Sequence, residues 1–340
     1  MVDPNGQSAK GVDDISGTAC RSNPMERITT MMPTQVKIRE VAPRDGFQSV
    51  VEFIATGRKL EIIEAIVEAG VKDIEMTSFV SPKSIPQLRD AAEVIQQFRN
   101  HGVVRSALVP NFVGAQNAIA SGVNEIVVVV SATEAHNEAN VRRSIEKSLS
   151  DLDAISNLAS DKGVAVNGAV AVAFGCPYEG DVREENVLRV VDAYLQKGAK
   201  RIILADTTGM ATPVQVDRVV RKFRYRFPDT DLSLHFHNNR GTAMTNLYAA
   251  LLAGATTFDT ALGGIGGCPY VPQAAGNLAT EDVVYLLSES GVATGIDLEG
   301  IIKAAFLLEK TLGYTLPGQV MKSGPRNPEL ASRLCGFGRH

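Results

Sequence analysis

Residues 59–78 read K-L-E-I-I-E-A-I-V-E-A-G-V-K-D-I-E-M-T-S, and this stretch contains the pattern that decides the fold. Apolar residues recur three and four positions apart, as on one face of an amphipathic helix, and Gly70 marks the end of that helix. The run D-I-E-M-T-S at 73–78 has the length and composition of a strand. A helix that leads through a glycine into a strand indicates an α/β repeat.

The same helix–glycine–strand unit recurs along most of the chain. Helix ends of this type, A-G-V, S-G-V and K-G-A, occur at 69–71, 121–123 and 197–199. Eight units, spaced at about the 30 residues that one strand and one helix occupy, predict an α/β fold of the (β/α)8 TIM-barrel type. An open doubly wound sheet is the alternative, but no glycine-rich dinucleotide fingerprint follows the first strand. The β-rich runs lie at 36–42, 73–78, 104–109, 125–132, 164–174, 201–206, 232–237 and 257–262.

Three segments of different character predict the domain organisation. Residues 1–33 are rich in Gly, Asp, Ser, Asn and Pro without apolar periodicity, and we interpret them as a flexible leader. The catalytic barrel is predicted to occupy residues 34–290. The last segment, 291–340, contains the helical run I-I-K-A-A-F-L-L-E-K and is predicted to pack on the barrel.

The composition excludes several classes of protein. With 340 residues, of which 44% are hydrophobic and 21% charged, the chain has an ordinary globular composition. A net charge of −4 without long runs of like charge provides no positive potential for a nucleic-acid backbone. No apolar stretch reaches the roughly 18 residues of a membrane span. We therefore expect neither nucleic acid nor a membrane as a partner.

The N-terminus and the cysteines indicate the compartment. No hydrophobic segment follows a basic start, and the acidic Asp3, Asp13 and Asp14 argue against a transit peptide. The four cysteines are widely scattered and form no C-x-x-C pair, which favours free thiols in a reducing compartment. We therefore expect a cytoplasmic protein.

The motif H-F-H-N-N-R at 235–240 follows the seventh β-rich run. Side chains at i and i+2 of a strand project to the same face, so His235 and His237 can direct both imidazoles at one point. This geometry suits a metal ion. A histidine pair that shares a buried hydrogen-bond network is the alternative, and the motif alone does not decide between the two.

Polar residues also follow the first β-rich run and interrupt the second. In a TIM barrel the chemistry lies at the C-terminal ends of the strands, so A-P-R-D-G-F-Q places Arg44, Asp45 and Gln48 at the catalytic rim. A structural ion pair with a turn cap is the alternative for this motif. Glu75 lies between apolar neighbours in its strand, where a buried carboxylate needs a cationic partner, and Arg44 is the candidate.

The sixth and eighth β-rich runs end in two further candidate motifs. Asp206 in A-D-T-T-G is either a catalytic carboxylate or the cap of a helical turn. The glycine-rich segment 263–282 is predicted to hinge as a lid with Cys268 at its tip. A phosphate cradle is the alternative for this loop, but it contains no Lys or Arg. Asn277 can cap the next helix, coordinate a metal, or do both.

Two imidazoles, one carboxylate and one amide are thus predicted at the same rim. A mixed nitrogen and oxygen set without thiolates suits Mg²⁺ or Mn²⁺, whereas zinc more often collects three or four strongly donating ligands. Zinc is the less favoured alternative. The candidate ligands are Asp45, His235, His237 and Asn277.

Taken together, these motifs resemble those of the 3-hydroxy-3-methylglutaryl-CoA lyase family, whose members are metal-dependent TIM-barrel lyases. The resemblance extends from about Val36 to Gly313, and the cysteine loop with its G-N-L-A-T-E-D tail is its most specific part. R-D-G and H-x-H alone are shared with a wider superfamily that includes isopropylmalate and homocitrate synthases. The motifs are A-P-R-D-G-F-Q, I-E-M-T-S-F-V-S-P-K, A-F-G-C-P-Y-E-G, A-D-T-T-G, H-F-H-N and G-G-C-P-Y.

The resemblance implies a metal-dependent retro-Claisen cleavage of 3-hydroxy-3-methylglutaryl-CoA to acetyl-CoA and acetoacetate. It implies that the metal acts as a Lewis acid on the substrate, and that Arg44 neutralises the thioester enolate. Cys268 would deliver a proton to the enolate, and Glu75 would orient Arg44. Asp206 or one of the histidines would be the base on the substrate hydroxyl.

The CoA part of the substrate needs contacts of its own. Lys83 in S-P-K, after the second β-rich run, is a candidate for a phosphate contact, although a solvated loop charge is the alternative. Gln48 at the rim is a candidate substrate contact. The family resemblance also implies a homodimer.

Several positions depart from the family pattern and leave the acyl group open. Asn238 and Asn239 follow H-x-H where an aspartate and a threonine are common, and Ser49 and Val50 replace N-E. Citramalyl-CoA or a longer 3-hydroxy-3-alkylglutaryl-CoA is therefore an alternative substrate. A Claisen-type synthase is less favoured, because such synthases usually carry a further domain. A barrel that binds metal or CoA without catalysis is a third hypothesis.

Overall fold

Eight parallel strands close into one barrel in the computed structural model, which describes residues 32–266 and 276–335. Each strand pairs with the next in chain order, and the last pairs with the first, so the predicted TIM barrel is confirmed. The strands are β1 (Lys37–Glu40), β2 (Asp73–Ser78), β3 (Val104–Leu108), β4 (Glu125–Ser131), β5 (Ala165–Ala171), β6 (Arg201–Asp206), β7 (Asp231–Phe236) and β8 (Thr257–Thr260).

Helices surround the barrel and connect its strands. None of those in the described ranges is long and apolar enough to cross a bilayer. Their bounds are α1 (Thr56–Glu68), α2 (Ala91–Gln97), α3 (Phe112–Ser121), α4 (Glu134–Val141), α5 (Ile145–Asp161), α6 (Glu184–Gln196), α7 (Pro213–Arg226), α8 (Ala243–Leu252), α9 (Thr280–Glu289), α10 (Leu298–Leu312), α11 (Val320–Ser323) and α12 (Pro328–Cys335).

The two faces of β5 show how the strands divide their residues between the lumen and the helices. A Cβ added to Gly168 would lie 2.4 Å from the ring of Tyr194 on α6, so Gly168 faces the helix. The Tyr194 hydroxyl donates to the carbonyl oxygens of Val128, at 2.8 Å, and Ala169. Because side chains alternate along a strand, Ala169 and Ala171 face the lumen.

Buried charges fill the N-terminal end of the barrel lumen. Arg39 is fully buried and pairs with Asp259 at 2.8 Å and with Asp73 at 3.4 Å. Arg201 also reaches Asp73, at 3.2 Å. Burial alone would raise the pKa of Asp73, but Arg39 and Arg201 hold it below its usual value. This end of the barrel is therefore closed by paired charges, and the opposite rim is left for binding.

The helices after the barrel pack against its outer surface. Helix α10 contacts α1 and the short turn Leu262–Gly264, and it buries Ile301, Ile302 and Leu308. The domain boundaries at 33 and 290 stay predictions. Cys176 and Cys335, the two cysteines within the described ranges, are both free thiols.

Glu281 is a buried carboxylate at the start of α9. Its Oε2 accepts a hydrogen bond from the Gly263 amide at 3.0 Å, while Oε1 has no hydrogen-bond partner within residues 32–266 and 276–335. Burial, with a smaller contribution from the neighbouring Asp282, raises the pKa of Glu281 from 4.5 to about 8. Between pH 4.5 and about 8, folded protein therefore retains a proton on Glu281 that unfolded protein releases.

We expect the Glu281→Gln substitution to stabilise the protein only at high pH. A carboxyl whose folded pKa is raised loses stability as pH rises from 4.5 towards about 8, and glutamine removes this loss. The melting temperature of the variant should exceed that of wild type by about 4 °C near pH 9 and match it near pH 5. Differential scanning calorimetry checks this. Glu289→Gln, an exposed change on the same helix, is the control and should show no pH-dependent difference.

Candidate active site

Asp45, His235 and His237 form a buried cluster at the C-terminal rim of the barrel, and one ligand atom of each lies within 4.8 Å of the others. Asp45 is placed by the helical turn Ala42–Gly46, which begins directly after β1 and is held by the Asp45 amide donating to the Val41 carbonyl at 2.7 Å. His235 belongs to β7, and His237 follows its end. The two Nε2 atoms are 3.0 Å apart, and Asp45 Oδ2 lies 3.5 Å from His237 Nε2.

Asp259 on β8 orients His235. Its Oδ2 lies 3.4 Å from His235 Nδ1, and the carboxylate also accepts hydrogen bonds from Arg39, at 2.8 and 2.9 Å, and from Ser233 at 2.6 Å. Burial alone would lower the pKa of His235, but Asp259 and Asp45 raise it above its ordinary value. Because a carboxylate only accepts, His235 donates from Nδ1 to Asp259, and Nε2 is the ring nitrogen that faces His237. This is the carboxylate–histidine arrangement that supports metal ligands.

Asn277 completes the cluster from the far side of the glycine-rich segment. Its Nδ2 donates to Asp45 Oδ2 at 2.7 Å and to the Ile265 carbonyl at 3.1 Å. Its Oδ1 is buried and has no hydrogen-bond partner in the described part of the chain. Gly266 makes this approach possible, because its φ is +113° and a Cβ there would lie 2.5 Å from Asn277 Nδ2.

The cluster fits a divalent cation. Two imidazoles and a carboxylate converge at one buried point, and the Asn277 amide nitrogen contacts that carboxylate. Burial alone would raise the pKa of Asp45, but Arg44 and both histidines hold it well below its usual value. Asp45 is therefore ionised at neutral pH. Burial lowers the pKa of His237, which keeps that imidazole neutral and able to coordinate.

Arg44 lies between two carboxylates, and the predicted pair with Glu75 is present. The guanidinium contacts Glu75 through Nε at 3.1 Å and Nη2 at 3.2 Å, and its Nη1 donates to Asp45 Oδ1. Gln48 Nε2 donates to the same Asp45 oxygen at 2.9 Å. Burial would lower the pKa of Arg44, but the two carboxylates hold it above its ordinary value. The side chain is thus a fixed, permanently charged group at the rim.

The remaining predicted site residues are Asp206, Lys83 and Cys268. Asp206 Oδ1 accepts hydrogen bonds from the amides of Met210, at 2.8 Å, and Ala211, as the turn-capping alternative requires. Burial raises the pKa of Asp206 to about 6. Lys83 is exposed on the segment after β2. Cys268 lies outside the described residues. Roles for these three residues in the reaction stay predictions.

A cavity of about 440 Å³ lies beside the cluster. Its lining contains charged and polar side chains, including Arg44, Glu75 and both histidines, together with apolar side chains from β4, β5 and β6. Asp206 does not line this cavity, whereas the next residue, Thr207, does. The cavity can therefore hold a substrate with one polar and one apolar part.

Sequence reasoning missed two residues that position the site. Glu40 Oε1 accepts hydrogen bonds from the amides of Ala42, at 2.8 Å, and Leu262, at 2.9 Å, so it ties the turn that carries Asp45 to the turn after β8. Asp259 is the other. Both are carboxylates inside β-rich runs. A charged residue within an apolar strand was the reason to single out Glu75, and searching every strand for such residues would also have found Glu40 and Asp259.

Comparison with known proteins identifies lyases of CoA thioesters as similar chains. The HMGL-like family matches residues 35–308 of this chain. A hydroxymethylglutaryl-CoA lyase of Bacillus subtilis, YngG, is 43% identical over 295 residues, which are 86% of this chain and 99% of the relative. An (R)-citramalyl-CoA lyase of Chloroflexus aurantiacus is 40% identical over 308 residues, covering 87% of this chain and 97% of the relative. The solved structure of an HMG-CoA lyase from Acinetobacter baumannii, in complex with coenzyme A and 3-methylmalate, matches with a TM-score of 0.83 at 42% identity, over 87% of this chain and 97% of that chain.

Proposed function

Because the chain belongs to the HMGL-like family and is a carbon–carbon lyase, we propose that it cleaves 3-hydroxy-3-methylglutaryl-CoA to acetyl-CoA and acetoacetate. The observation that carries this proposal is the buried cluster of Asp45, His235 and His237 with Arg44 directly beside it. A ligand set for a cation next to a permanent positive charge suits a reaction that develops negative charge on two substrate oxygens.

We infer that Asp45, His235, His237 and Asn277 would hold the cation. A divalent cation bound there supplies Lewis-acid chemistry to the hydroxyl and carboxylate oxygens of the substrate. Ligands that are nitrogen and oxygen only favour Mg²⁺ or Mn²⁺, with Zn²⁺ as the weaker alternative.

Arg44 is proposed to stabilise the thioester oxygen as it becomes an enolate. The guanidinium already faces Glu75 and Asp45, which fix its orientation before substrate binds. A charged group that is already oriented stabilises a developing negative charge most effectively, because it does not have to move during the reaction. Glu75 therefore acts as a positioning residue for Arg44, and Gln48 beside Asp45 is available to contact the substrate.

The reaction breaks the bond between the hydroxylated carbon and the carbon next to the thioester. A base, one of the histidines or Asp206, takes the hydroxyl proton as the carbonyl of acetoacetate forms. The electron pair moves to the thioester side, where the resulting enolate takes up a proton to become acetyl-CoA. We propose that Cys268 delivers this proton.

We expect the Cys268→Ala substitution to reduce acetyl-CoA formation by about 10²- to 10⁴-fold, the usual range for one lost proton donor. Binding of CoA thioesters should be preserved. Stopped-flow measurement of acetyl-CoA release, together with calorimetric titration of CoA, separates the two effects. Cys335→Ala on α12 is the matched control and should turn over like wild type. Unchanged turnover of Cys268→Ala for every candidate thioester would favour a barrel without this catalytic thiol.

The CoA moiety is proposed to leave the cavity past the segment after β2. Ser84 and Ile85 line the cavity, and exposed Lys83 precedes them, where it is available to a phosphate. The Acinetobacter baumannii relative was solved with coenzyme A, which supports an acyl-CoA substrate. The cytoplasmic location and the homodimer stay predictions, and sedimentation of the purified protein tests the latter.

Metal removal gives a direct test of the proposed function. The purified protein should release acetyl-CoA from 3-hydroxy-3-methylglutaryl-CoA, and EDTA should suppress the rate at least about 100-fold. Readdition of Mg²⁺ or Mn²⁺ should restore it. The 40% identity to a citramalyl-CoA lyase makes citramalyl-CoA the second substrate to assay. Cleavage of citramalyl-CoA alone would replace the proposed substrate, and activity that survives EDTA would exclude a cation-dependent reaction.

A further inference from the structure

Four residues on successive strands of the barrel form one row of polar side chains in the lumen. Arg39 on β1 lies in register with Asp73 on β2 and with Asp259 on β8. Asp259 in turn lies in register with His235 on β7. Because registered residues of parallel strands face the same side of the sheet, the four side chains point into the lumen together. We call Asp73, Arg39, Asp259 and His235 the charge row.

The charge row connects the closed end of the barrel with the catalytic rim. Asp73 is the first residue of β2, whereas His235 is the last but one of β7. The strands of a TIM barrel are tilted and staggered, so a row of registered residues rises along the barrel axis. The buried charges at the N-terminal end of the lumen are therefore continuous with a candidate ligand of the cation.

Arg39 fixes the oxygen of Asp259 that faces His235. Its Nη1 donates to Asp259 Oδ1 at 2.8 Å and to Asp259 Oδ2 at 2.9 Å. The second of these oxygens is the one that lies 3.4 Å from His235 Nδ1. Ser233 donates to the first oxygen at 2.6 Å. Because both oxygens accept hydrogen bonds, the carboxylate cannot rotate without leaving a buried polar group unsatisfied, which is costly.

Arg39 is itself held on the side away from His235. Its Nε lies 3.4 Å from Asp73 Oδ1, and its Nη2 donates to Ser106 Oγ at 3.4 Å. Asp73 also pairs with Arg201, at 3.2 Å. The Arg39 side chain is fully buried, and a buried guanidinium needs such partners. These contacts fix the guanidinium in the position from which it reaches the next strand, β8.

We propose that Arg39 is a positioning residue of the cation site, because it fixes the Asp259 carboxylate that orients His235. The inference rests on the proposed function, since it concerns the affinity for the cation that the reaction needs. Within the described part of the chain Arg39 does not line the cavity, so it acts on the site through Asp259 and His235.

The charge of Arg39 and its hydrogen bonds have opposite effects on cation binding. A positive charge near the cluster repels a cation, whereas an oriented Asp259 favours binding by holding His235 in place. The Arg39→Lys substitution separates these effects. Lysine keeps the charge but loses the planar guanidinium that reaches Asp259 and Ser106 at once. A change of affinity in this variant therefore reports the positioning.

We expect Arg39→Lys to weaken Mn²⁺ binding by about tenfold, the lower end of the range for lost partners of metal ligands. Calorimetric titration of the metal-free protein measures the affinity. At saturating Mn²⁺ the rate should stay within about twofold of wild type, because only occupancy of the site is changed. A loss of affinity smaller than about threefold would overturn the inference and leave Arg39 with a structural role only.

Arg201→Lys is the matched control for a buried arginine. Arg201 lies on β6 and also pairs with Asp73, so its replacement disturbs the same network of buried charges. This variant should have a lower melting temperature and the Mn²⁺ affinity of wild type. If it weakens Mn²⁺ binding as much as Arg39→Lys does, the effect is a general one of destabilisation and the inference fails.

A double-mutant cycle tests the route from Arg39 to the site. Added to Asp259→Asn, the Arg39→Lys change should lower Mn²⁺ affinity by less than about twofold further, because the carboxylate that it positions is already lost. An equal tenfold loss in both backgrounds would contradict the route through Asp259.

A second variant covers the case in which Arg39→Lys does not fold. Ser106→Ala removes one partner of the guanidinium and keeps every charge, and it should weaken Mn²⁺ binding by about threefold. Wild-type affinity in Ser106→Ala would then overturn the inference. Wild-type protein that binds no Mn²⁺, or that cleaves the thioester in EDTA, would instead contradict the proposed function, and the inference with it.

Discussion

Replacement of Arg44 by glutamine is expected to lower kcat by about 10²- to 10³-fold, the cost of removing one preorganised group that stabilises an oxyanion. The guanidinium is a permanent positive charge in the cavity lining, and Glu75 and Asp45 hold it in place. Arg44→Lys keeps the charge but loses the planar fork, so it should recover only a small part of the rate. Steady-state kinetics with 3-hydroxy-3-methylglutaryl-CoA measures both variants.

The Arg44 experiment needs a control for stability, because Glu75 is buried and would be left unpaired. Breaking a buried pair costs about 3–5 kcal/mol, whereas removing both partners costs much less. The double variant Arg44→Gln, Glu75→Gln should therefore recover the melting temperature but not the rate. Arg58→Gln, which breaks an exposed pair with Glu61, controls for the loss of an arginine. Activity within about twofold of wild type in Arg44→Gln would remove Arg44 from the mechanism.

The barrel could be predicted because its strands are short buried runs between glycine-marked helix ends. The predicted runs 73–78 and 201–206 have the same bounds as β2 and β6. The eighth run was predicted to reach residue 262, but β8 ends at Thr260. The backbone there turns into Leu262–Gly264, where Gly263 has a φ of +67°. Periodicity identifies the apolar run and does not detect this change of backbone conformation.

The candidate cation cluster could be predicted because a topological rule places strand ends together. Asp45, His235 and Asn277 are far apart in sequence, yet each follows or ends a parallel strand at the same rim. Because burying an unpaired carboxylate is costly, the sequence predicts Arg44 as the partner of Glu75. Arg44 Nε lies 3.1 Å from Glu75 Oε1, as this predicts. Both inferences needed only the fold class and one energetic rule.

Contacts that depend on register could not be derived in this way. Asp259 meets His235 because β7 and β8 pair with these two residues opposite each other. Glu40 accepts from the Leu262 amide, 222 positions away in the chain. A backbone donor at that distance has no signature in the sequence. The sequence leaves open whether Asp206 is a catalytic carboxylate or a turn cap. Only the hydrogen bonds from the amides of Met210 and Ala211 show which turn its side chain caps.

Asp259→Asn is expected to weaken cation binding by about 10- to 100-fold, the usual effect of losing a carboxylate behind a histidine ligand. Arg39 and the hydrogen bonds to Asp259 hold its pKa well below the usual value despite burial, so the residue is ionised when it faces His235. Asparagine retains an acceptor for His235 Nδ1 but removes the negative charge that increases the basicity of Nε2. Calorimetric titration of the metal-free protein with Mn²⁺ measures the change.

Two further variants test whether Asp259 acts by supporting His235 or by stabilising the fold around it. Ser233→Ala removes one hydrogen bond to Asp259 and leaves its charge, so Mn²⁺ affinity should fall by less than about tenfold. Asp217→Asn, an exposed change on α7, should leave the affinity unchanged. Because Asp259→Asn also leaves Arg39 with less compensation in the barrel lumen, a lower melting temperature is expected alongside. A variant that is less stable yet binds Mn²⁺ like wild type would show that Asp259 serves the barrel lumen only, and that His235 needs no support from β8.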